Sequence, residues 1–378
     1  MNPGFAWRLG VAAGRFLQER GLAGRRVVIG RDTRFSGGIL ERALAAGLRE
    51  AGFEAASVGV VPTPAVSFAV RHFEAGLGIV VTASHNPVRD NGIKFFSASG
   101  MKLADADELA IEALLPGEAE VPGKTPGVDV PSLPVIEPFL DKLAGILAPG
   151  ALAGWKIVVD TANGAACETT PAMLRRLGAD VAVVGNEPDG HNINAGCGSQ
   201  HPGALRAAVV EQGARLGIAH DGDADRVLFV DEAGEIVDGD ELLAILAEDA
   251  LAQNRLNHRT LVATVQSNLA LTHFMESRDG RLVATPVGDR YVAEAMVEGG
   301  FNLGGENSGH IICTDVSPCG DGLAAALLVL RAMVTTGRPL SELRRVIQLY
   351  PQATRALRVG AKPPMETLPS LTAAIRRA

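Results

Sequence analysis

The chain has 378 residues, of which 47% are hydrophobic and 21% charged, a composition that is typical of a folded multidomain protein and excludes wholesale disorder. Its formal net charge of −8 argues against nucleic acid or an anionic membrane surface as a partner, so the positive charges that hold an anionic ligand must be local. The four cysteines show no C-x-x-C spacing and the N-terminus has no signal pattern, so we expect free thiols in a cytoplasmic protein.

The N-terminal part of the chain predicts alternating helices and strands. Helical spacing over Ala6–Glu19 is followed by a strand at Val27–Gly30, a helix at Ile39–Glu50 and a strand at Ala55–Val61. The run Leu77–Val81 is short, β-branched and bounded by glycine, which indicates a buried strand. Together these segments indicate an α/β unit.

A polar loop, Thr-Ala-Ser-His-Asn-Pro at 82–87, follows that buried strand. A strand that ends in such a loop places the Ser84 hydroxyl at the carboxyl edge of a sheet, where open α/β folds bind ligands. His85 stands beside it, and Pro87 stiffens the exit of the loop. An ordinary strand-end turn is the alternative interpretation, since Ser, Asn and Pro are all turn residues.

The same pattern recurs twice along the chain. Apolar strands at 27–29, 157–159 and 261–263 each begin a unit that contains a helix, a glycine and a second strand, and each unit is completed by a strand that ends in a polar loop. We therefore predict three similar α/β/α domains with mixed sheets around a central cleft. The predicted domains span 1–131, 132–236 and 237–350. The remainder, 351–378, is too short for a domain and is predicted to be a stub of a fourth, with a strand at 353–359 and a helix at 366–377.

The loop of the second unit carries three carboxylates, Asp221, Asp223 and Asp225. Carboxylates this close repel one another unless a cation lies among them, and oxygen ligands select Mg²⁺ or Ca²⁺. An EF-hand is a competing interpretation because Glu232 occupies the twelfth position, but Arg226 stands where that loop needs glycine and the flanks look like strands. A phosphoryl group on Ser84 would complete the coordination of the cation and couple the first loop to the second.

The loop of the third unit contains Glu306 and Ser308, which point the same way on an extended chain and suit adjacent sugar hydroxyls. A glycine-rich turn with a solvated glutamate is the alternative. The remaining local positive charge comes from residues that share loops with these motifs, namely Arg34, Lys94, Arg290, His85 and His310.

This combination of motifs resembles the α-D-phosphohexomutases, and within them most closely the bacterial phosphoglucosamine mutase subgroup. The resemblance covers about 4–359 and rests on the segments 82–87, 90–96, 221–226 with 237–243, 287–292, and 304–310 with 320–322. It implies that phosphorylated Ser84 gives its phosphoryl group to a hexosamine 6-phosphate. The bisphosphate would then turn over in the cleft and return the other phosphate, converting glucosamine 6-phosphate to glucosamine 1-phosphate.

The resemblance also implies roles for individual residues. Mg²⁺ would be held by the Ser84 phosphate together with Asp221, Asp223 and Asp225. His85 and Lys94 would lie near the transferring group, and His310 would be an acid or base. Substrate binding would fall to Arg34, Arg226, Arg290, Glu306 and Ser308. The partners expected are the hexose or hexosamine phosphate and its bisphosphate, and a homodimer is left open.

Three alternatives remain at this point. Phosphomannomutase or phosphoglucomutase activity is one, since Asn307 stands where the phosphoglucosamine subgroup more often has Gln. A non-catalytic sugar-phosphate or metal-binding protein is a second, and a calcium switch is a third. Compared with the family, the chain lacks an N-terminal strand with an active-site Arg and most of the fourth domain with its phosphate-binding Arg-x-Ser-Gly-Thr loop. We therefore expect a poor mutase that keeps Ser84 and its metal site.

Overall fold

The computed structural model describes residues 1–22, 26–118, 121, 128–353, 359–361 and 363–377. Its first unit contains a four-stranded sheet and four helices, which are α1 Pro3–Glu19, β1 Val27–Arg31, α2 Gly37–Glu50, β2 Ala55–Val60, α3 Thr63–His72, β3 Leu77–Val81, β4 Ile93–Ser97 and α4 Asp105–Ala113. The apolar faces of α1 and α2 pack on one side of this sheet, with residues such as Leu17, Leu44 and Ile79 fully buried. The strands and helices predicted from periodicity are therefore present.

The second and third units repeat this plan. The second contains α5 Ile136–Ala144, β5 Lys156–Asp160, α6 Thr169–Arg176, β6 Asp180–Val184, α7 Gly203–Glu211, β7 Leu216–His220, β8 Val227–Asp231 and β9 Ile236–Val237. The third contains α8 Gly239–Ala252, β10 Thr260–Thr264, α9 Leu269–Glu276, β11 Arg281–Thr285, α10 Asp289–Gly299, β12 Leu303–Gly305, β13 Ile311–Cys313, α11 Gly322–Thr336 and α12 Leu340–Leu343. Short 3₁₀ turns lie at Asn257–Arg259, Arg344–Val346 and Met365–Thr367, and α13 spans Pro369–Ile375.

Strand order confirms the repeat predicted from the sequence. The sheets run β2-β1-β3-β4, β6-β5-β7-β8-β9 and β11-β10-β12-β13. In each, the first three strands are parallel and the fourth is antiparallel to the third. The three polar loops join the third strand to the fourth in every unit, so they occupy equivalent positions. Three α/β/α units with mixed sheets are the fold class expected.

The units share apolar packing between them. One continuous buried cluster includes Phe96 of the first sheet, Phe139 of α5 and Phe229 of the second sheet. Helix α11 belongs to the same cluster and is buried along most of its length. This packing fixes the three sheet edges against one another and thereby the relative positions of their loops.

Several details differ from the sequence-based expectations. β9 still belongs to the second sheet, so the predicted boundary between 236 and 237 divides a short strand. The predicted strand at 353–359 lies largely outside the described residues, and the predicted helix at 366–377 is the shorter α13 with a 3₁₀ turn before it.

All four cysteines are free, as expected.

The described residues contain no single helix that is long and apolar enough to cross a membrane. Helix α11 and the segment Leu340–Val346 pass such a test only as a pair, which is bent by 91°.

Candidate active site

Two of the polar loops meet at the Ser84 hydroxyl. Ser84 Oγ donates a hydrogen bond to Asp221 Oδ2 at 2.6 Å, which joins the loop after β3 to the loop after β7. His85 also lies near the hydroxyl, with its Nδ1 3.4 Å from Ser84 Oγ. Burial lowers the pKa of His85, and the nearby Arg226 charge acts in the same direction. The serine is therefore next to a carboxylate and an imidazole rather than in a plain turn.

The three aspartates predicted as metal ligands are buried together. One oxygen from each of Asp221, Asp223 and Asp225 lies within 4.8 Å of the others. Burial raises the pKa of Asp221 well above its usual range, and repulsion from Asp225 and Asp223 adds to the effect. Burial alone would also raise the pKa of Asp225, but the Lys94 and His310 charges outweigh it and lower that pKa well below its usual range.

Lys94 on β4 supplies the main positive charge to this cluster. Its Nζ donates to Asp223 Oδ2 at 2.6 Å and to Asp225 Oδ2 at 2.8 Å. Burial alone would lower the pKa of Lys94, yet the two carboxylates raise it well above its usual range. Lys94 is therefore charged, and it connects the first sheet directly to the aspartate loop.

The oxygen atoms that remain fit a hard divalent cation. Among the described residues, Asp223 Oδ1 and Asp225 Oδ1 are buried and lack a hydrogen-bond partner. Buried carboxylate oxygens without partners are costly unless a cation binds them, and a donor set made only of carboxylate oxygens favours a hard ion. The residues present therefore fit a divalent metal ion.

The EF-hand interpretation is wrong for this loop. The segment lies between strands β7 and β8 rather than between two helices. Glu232, which would be its twelfth ligand, instead accepts hydrogen bonds from the backbone and the hydroxyl of Ser341. The carboxylate of Glu232 is thereby committed to a contact outside the aspartate cluster.

The loop of the third unit packs against the aspartate loop. Val227 N donates to Gly309 O at 3.0 Å, and Arg226 pairs with His310 in an isolated antiparallel bridge. Glu306 is buried, and its Oε1 accepts a hydrogen bond from Gly288 N at 3.0 Å. Ser308 Oγ is buried and has no hydrogen-bond partner in the part of the chain that the structure describes.

His310 lies between two carboxylates of different units. Its Nδ1 is 3.6 Å from Asp225 Oδ1, and its Nε2 is 3.3 Å from Asp289 Oδ2. Asp289 also accepts a hydrogen bond from Lys102. Burial alone would raise the pKa of Asp289, but the charges of His310 and Lys102 outweigh it and lower that pKa to about 2. Both ring nitrogens therefore lie near a carboxylate, although His310 Nε2 has no hydrogen-bond partner among the described residues.

Arg34 and Arg290, two cations predicted to bind the substrate, instead contact other groups of the protein. Arg34 is 1% exposed, and its guanidinium bonds the Asp32 carboxylate and backbone carbonyls of the Ser84 loop, so it does not face the cleft. Arg290 forms ion pairs with Asp105 and Glu108 of α4, which hold the third unit against the first. Arg226 does lie beside the cluster, where its backbone N donates to Asp221 Oδ1 at 3.2 Å.

Thr63 and Asp289 contact the site and were not predicted from the sequence. Thr63, at the start of α3, donates from Oγ1 to Asp223 Oδ2 at 2.6 Å, and its backbone N donates to Asp223 O at 2.9 Å. Asp289 contacts His310 as described above. Thr63 stands in a Thr-Pro helix start that carries no signal for chemistry, whereas Asp289 lies inside the segment 287–292 that carried the family resemblance.

Comparisons with known proteins agree with this geometry. Models of phosphoglucomutase/phosphomannomutase α/β/α domains I, II and III match residues 1–121, 137–234 and 238–350. The chain belongs to the phosphoglucomutase/phosphomannomutase family. The three polar loops described above come one from each of the three family domains, which places the candidate site where these domains meet.

Members of this family with related sequences and structures are known. The chain is 48% identical to a phosphoglucosamine mutase of Cereibacter sphaeroides and 45% identical to one of Syntrophotalea carbinolica; each comparison covers all of this chain and 85% or 83% of the relative. A crystal structure of a phosphoglucomutase/phosphomannomutase family protein from Burkholderia thailandensis is 26% identical, with a TM-score of 0.78. That comparison covers 94% of this chain and 77% of the other.

Proposed function

We propose that this protein is a phosphoglucosamine mutase, an isomerase that interconverts glucosamine 6-phosphate and glucosamine 1-phosphate through phosphorylated Ser84 and a bisphosphate intermediate. The observation that carries the proposal is the 2.6 Å contact between Ser84 Oγ and Asp221 Oδ2, which joins the nucleophile to the carboxylate cluster. The identity of 45–48% to phosphoglucosamine mutases supports glucosamine over mannose or glucose as the sugar.

In the proposed reaction, the bond between phosphorus and Ser84 Oγ breaks as a bond to a sugar oxygen forms. The charged Lys94 contacts Asp223 and Asp225 of the loop that Ser84 contacts through Asp221, and we propose that it stabilises negative charge on the phosphoryl group. The hydroxyl proton of the sugar passes to His310, which accepts it in the neutral form of the imidazole and lies beside Asp225 and Asp289.

Phosphoryl transfer in the return direction requires that the bisphosphate turn over in the cleft. Glu306 and the unpartnered Ser308 hydroxyl are proposed to bind the sugar hydroxyls in both orientations. Asp221, Asp223 and Asp225 would hold Mg²⁺ together with the Ser84 phosphate. When bound, this ion would supply Lewis-acid neutralisation of the phosphoryl oxygens.

The proposal includes a cytoplasmic location, since the chain carries four free thiols. Hexosamine or hexose phosphates and the matching bisphosphates are the proposed small-molecule partners. The expectations for nucleic acid, membranes and a homodimer stay predictions.

The decisive experiment gives the purified chain glucosamine, glucose and mannose 6-phosphates in turn, each with Mg²⁺ and a trace of the matching bisphosphate. We expect the fastest conversion with glucosamine 6-phosphate and one covalent phosphate on Ser84 by intact-protein and peptide mass spectrometry. Ser84→Ala should lose both, whereas Ser99→Ala, which removes a hydroxyl from the turn after β4, should keep both. A wild-type Ser84 that no bisphosphate phosphorylates would refute the proposal.

A further inference from the structure

A single buried side chain organises the loop that carries Ser84. The Arg34 guanidinium has five N–H donors, and every one of them has an acceptor. Nε donates to Asp32 Oδ2 at 2.8 Å. One terminal nitrogen donates to Pro87 O at 2.6 Å and Asp90 O at 3.0 Å, and the other donates to Ser84 O and Asn86 O, both at 2.9 Å. Four loop carbonyls thus converge on one cation.

The loop needs this support because Ser84 has a left-handed backbone. Its φ is +50°, a conformation that a residue with a Cβ adopts only at a cost in free energy. The amide of Ser84 is held as well, since Ser84 N donates to Thr82 Oγ1 at 2.9 Å, and that hydroxyl donates to Asp32 Oδ2 at 2.7 Å. Both peptide groups of Ser84 are therefore connected to the Asp32–Arg34 ion pair.

The second unit contacts the same two carbonyls. Asn194 Nδ2 donates to Ser84 O at 2.9 Å and approaches Asn86 O at 3.4 Å. Asn194 is buried and is itself fixed by a bond from its backbone N to Ala162 O at 2.9 Å. A Cβ on Gly222 would lie 2.7 Å from Ser84 O and 2.8 Å from Asn194 Nδ2, so the aspartate loop packs closely against this contact.

We infer that Arg34 and Asn194 are positioning residues for the phosphoryl transfer, which both donate to the Ser84 carbonyl and thereby set where the Ser84 hydroxyl meets the aspartate cluster. This inference rests on the proposed function. Neither residue contacts the reacting atoms, because both act through the backbone of the loop. Arg34 sets the loop within the first unit, and Asn194 sets the register of that loop against the second unit.

The test compares Arg34→Lys and Asn194→Asp with wild type. Lysine keeps the charge but has three donors, so it can satisfy at most three of the five acceptors. Aspartate is isosteric with asparagine but presents an oxygen to two carbonyl oxygens. With glucosamine 1,6-bisphosphate and Mg²⁺, we expect each variant to phosphorylate Ser84 roughly 10- to 100-fold more slowly in quenched intact-mass measurements. The bisphosphate concentration that gives the half-maximal rate should change little.

A stability control separates positioning from folding. Leu44→Ala removes buried apolar contacts from the core of the first unit without touching the loop, so it should lower the melting temperature and leave the phosphorylation rate near wild type. If Arg34→Lys and Asn194→Asp phosphorylate Ser84 at the wild-type rate, or slow it no more than Leu44→Ala does, the inference is wrong.

Amide hydrogen exchange gives a readout that does not depend on catalysis. Exchange in the segment 84–90 should rise at least about tenfold in Arg34→Lys and Asn194→Asp but not in Leu44→Ala. Equal exchange in all proteins would overturn the inference even if no bisphosphate phosphorylated the wild type. Failure of wild-type phosphorylation with the expected exchange pattern would instead refute the proposed function and leave the positioning of the loop supported.

Discussion

The substitution Gly309→Ala tests how closely the loop of the third unit contacts the aspartate loop. Gly309 has a φ of +86°, and a Cβ built on it would lie 2.0 Å from Val227 O and 3.0 Å from Val227 C. Both of these are backbone atoms of β8, so no side chain can rotate away. The loop must shift as a whole, and the hydrogen bond from Val227 N to Gly309 O lies within the same contact.

The magnitude follows from the geometry. Ordinary van der Waals contact begins at 3.4 Å, so the new methyl group has to move by about 1.4 Å to reach it. The left-handed backbone costs about 1–2 kcal/mol with alanine, and overpacking adds about 1–3 kcal/mol, which makes a loss of roughly 2–5 kcal/mol in unfolding free energy. Because Ser308 and His310 flank the shifted residue, we expect kcat to fall on the order of 100-fold.

The matched control is Gly337→Ala, at the residue that follows α11. Gly337 has a φ of +69° and nothing within 4 Å of its built Cβ, so it carries the backbone cost without the collision. Urea unfolding and the conversion of glucosamine 6-phosphate are measured on both variants. If Gly309→Ala loses no more stability than Gly337→Ala and keeps its kcat, the tight contact between the two loops is absent in solution.

Three further predictions concern ionisable groups. Burial raises the pKa of Asp321 to about 6, so its protonation stabilises the folded protein below about pH 4, and this stabilisation is lost as the pH rises towards 6. Asp321→Asn keeps an acceptor for Ala324 N and should flatten the dependence of unfolding free energy on pH over that range; an unchanged slope would contradict the assignment. Asp223→Asn should weaken Mg²⁺ binding at least about tenfold by calorimetry, and unaltered affinity would place the metal elsewhere. Glu306→Gln keeps an acceptor for Gly288 N but loses its charge, so KM should rise about tenfold without loss of stability; an unchanged KM would remove Glu306 from the sugar site.

The fold could be predicted because its signals are local and repeated. A short apolar strand, a polar loop and a second strand occur three times, and the sheets place all three loops in equivalent positions. That equivalence explains why Ser84, the aspartate triad and the loop containing Glu306, Ser308 and His310 meet, although they are more than 200 residues apart at the extremes. The periodicity of the strands and the order of the motifs were therefore enough to predict most of the site.

Residues whose role depends on burial could not be assigned from the sequence. Arg34 follows a strand end in the same way as a ligand-binding cation would, and only the tertiary structure shows that its donors are consumed by loop carbonyls. Thr63 and Asn194 belong to helix-start and turn segments, where Thr and Asn are common for local reasons. Thr63 contacts Asp223 and Asn194 contacts Ser84, in each case across two units, and a local sequence pattern cannot predict a contact between units.

The charges at the site explain why the cation and the phosphoryl group belong together. The three carboxylates of 221–226 face the cations of Lys94 and Arg226, so this cluster carries a net charge of −1 when all three carboxylates are ionised. A phosphoryl dianion would be repelled by such a site, whereas a divalent cation would turn its net charge positive and make it attractive. Lys94 alone cannot satisfy the cluster, since Asp223 Oδ1 and Asp225 Oδ1 are buried without a hydrogen-bond partner among the described residues. The same aspartates that make the site costly without a cation therefore make its affinity for phosphate depend on one.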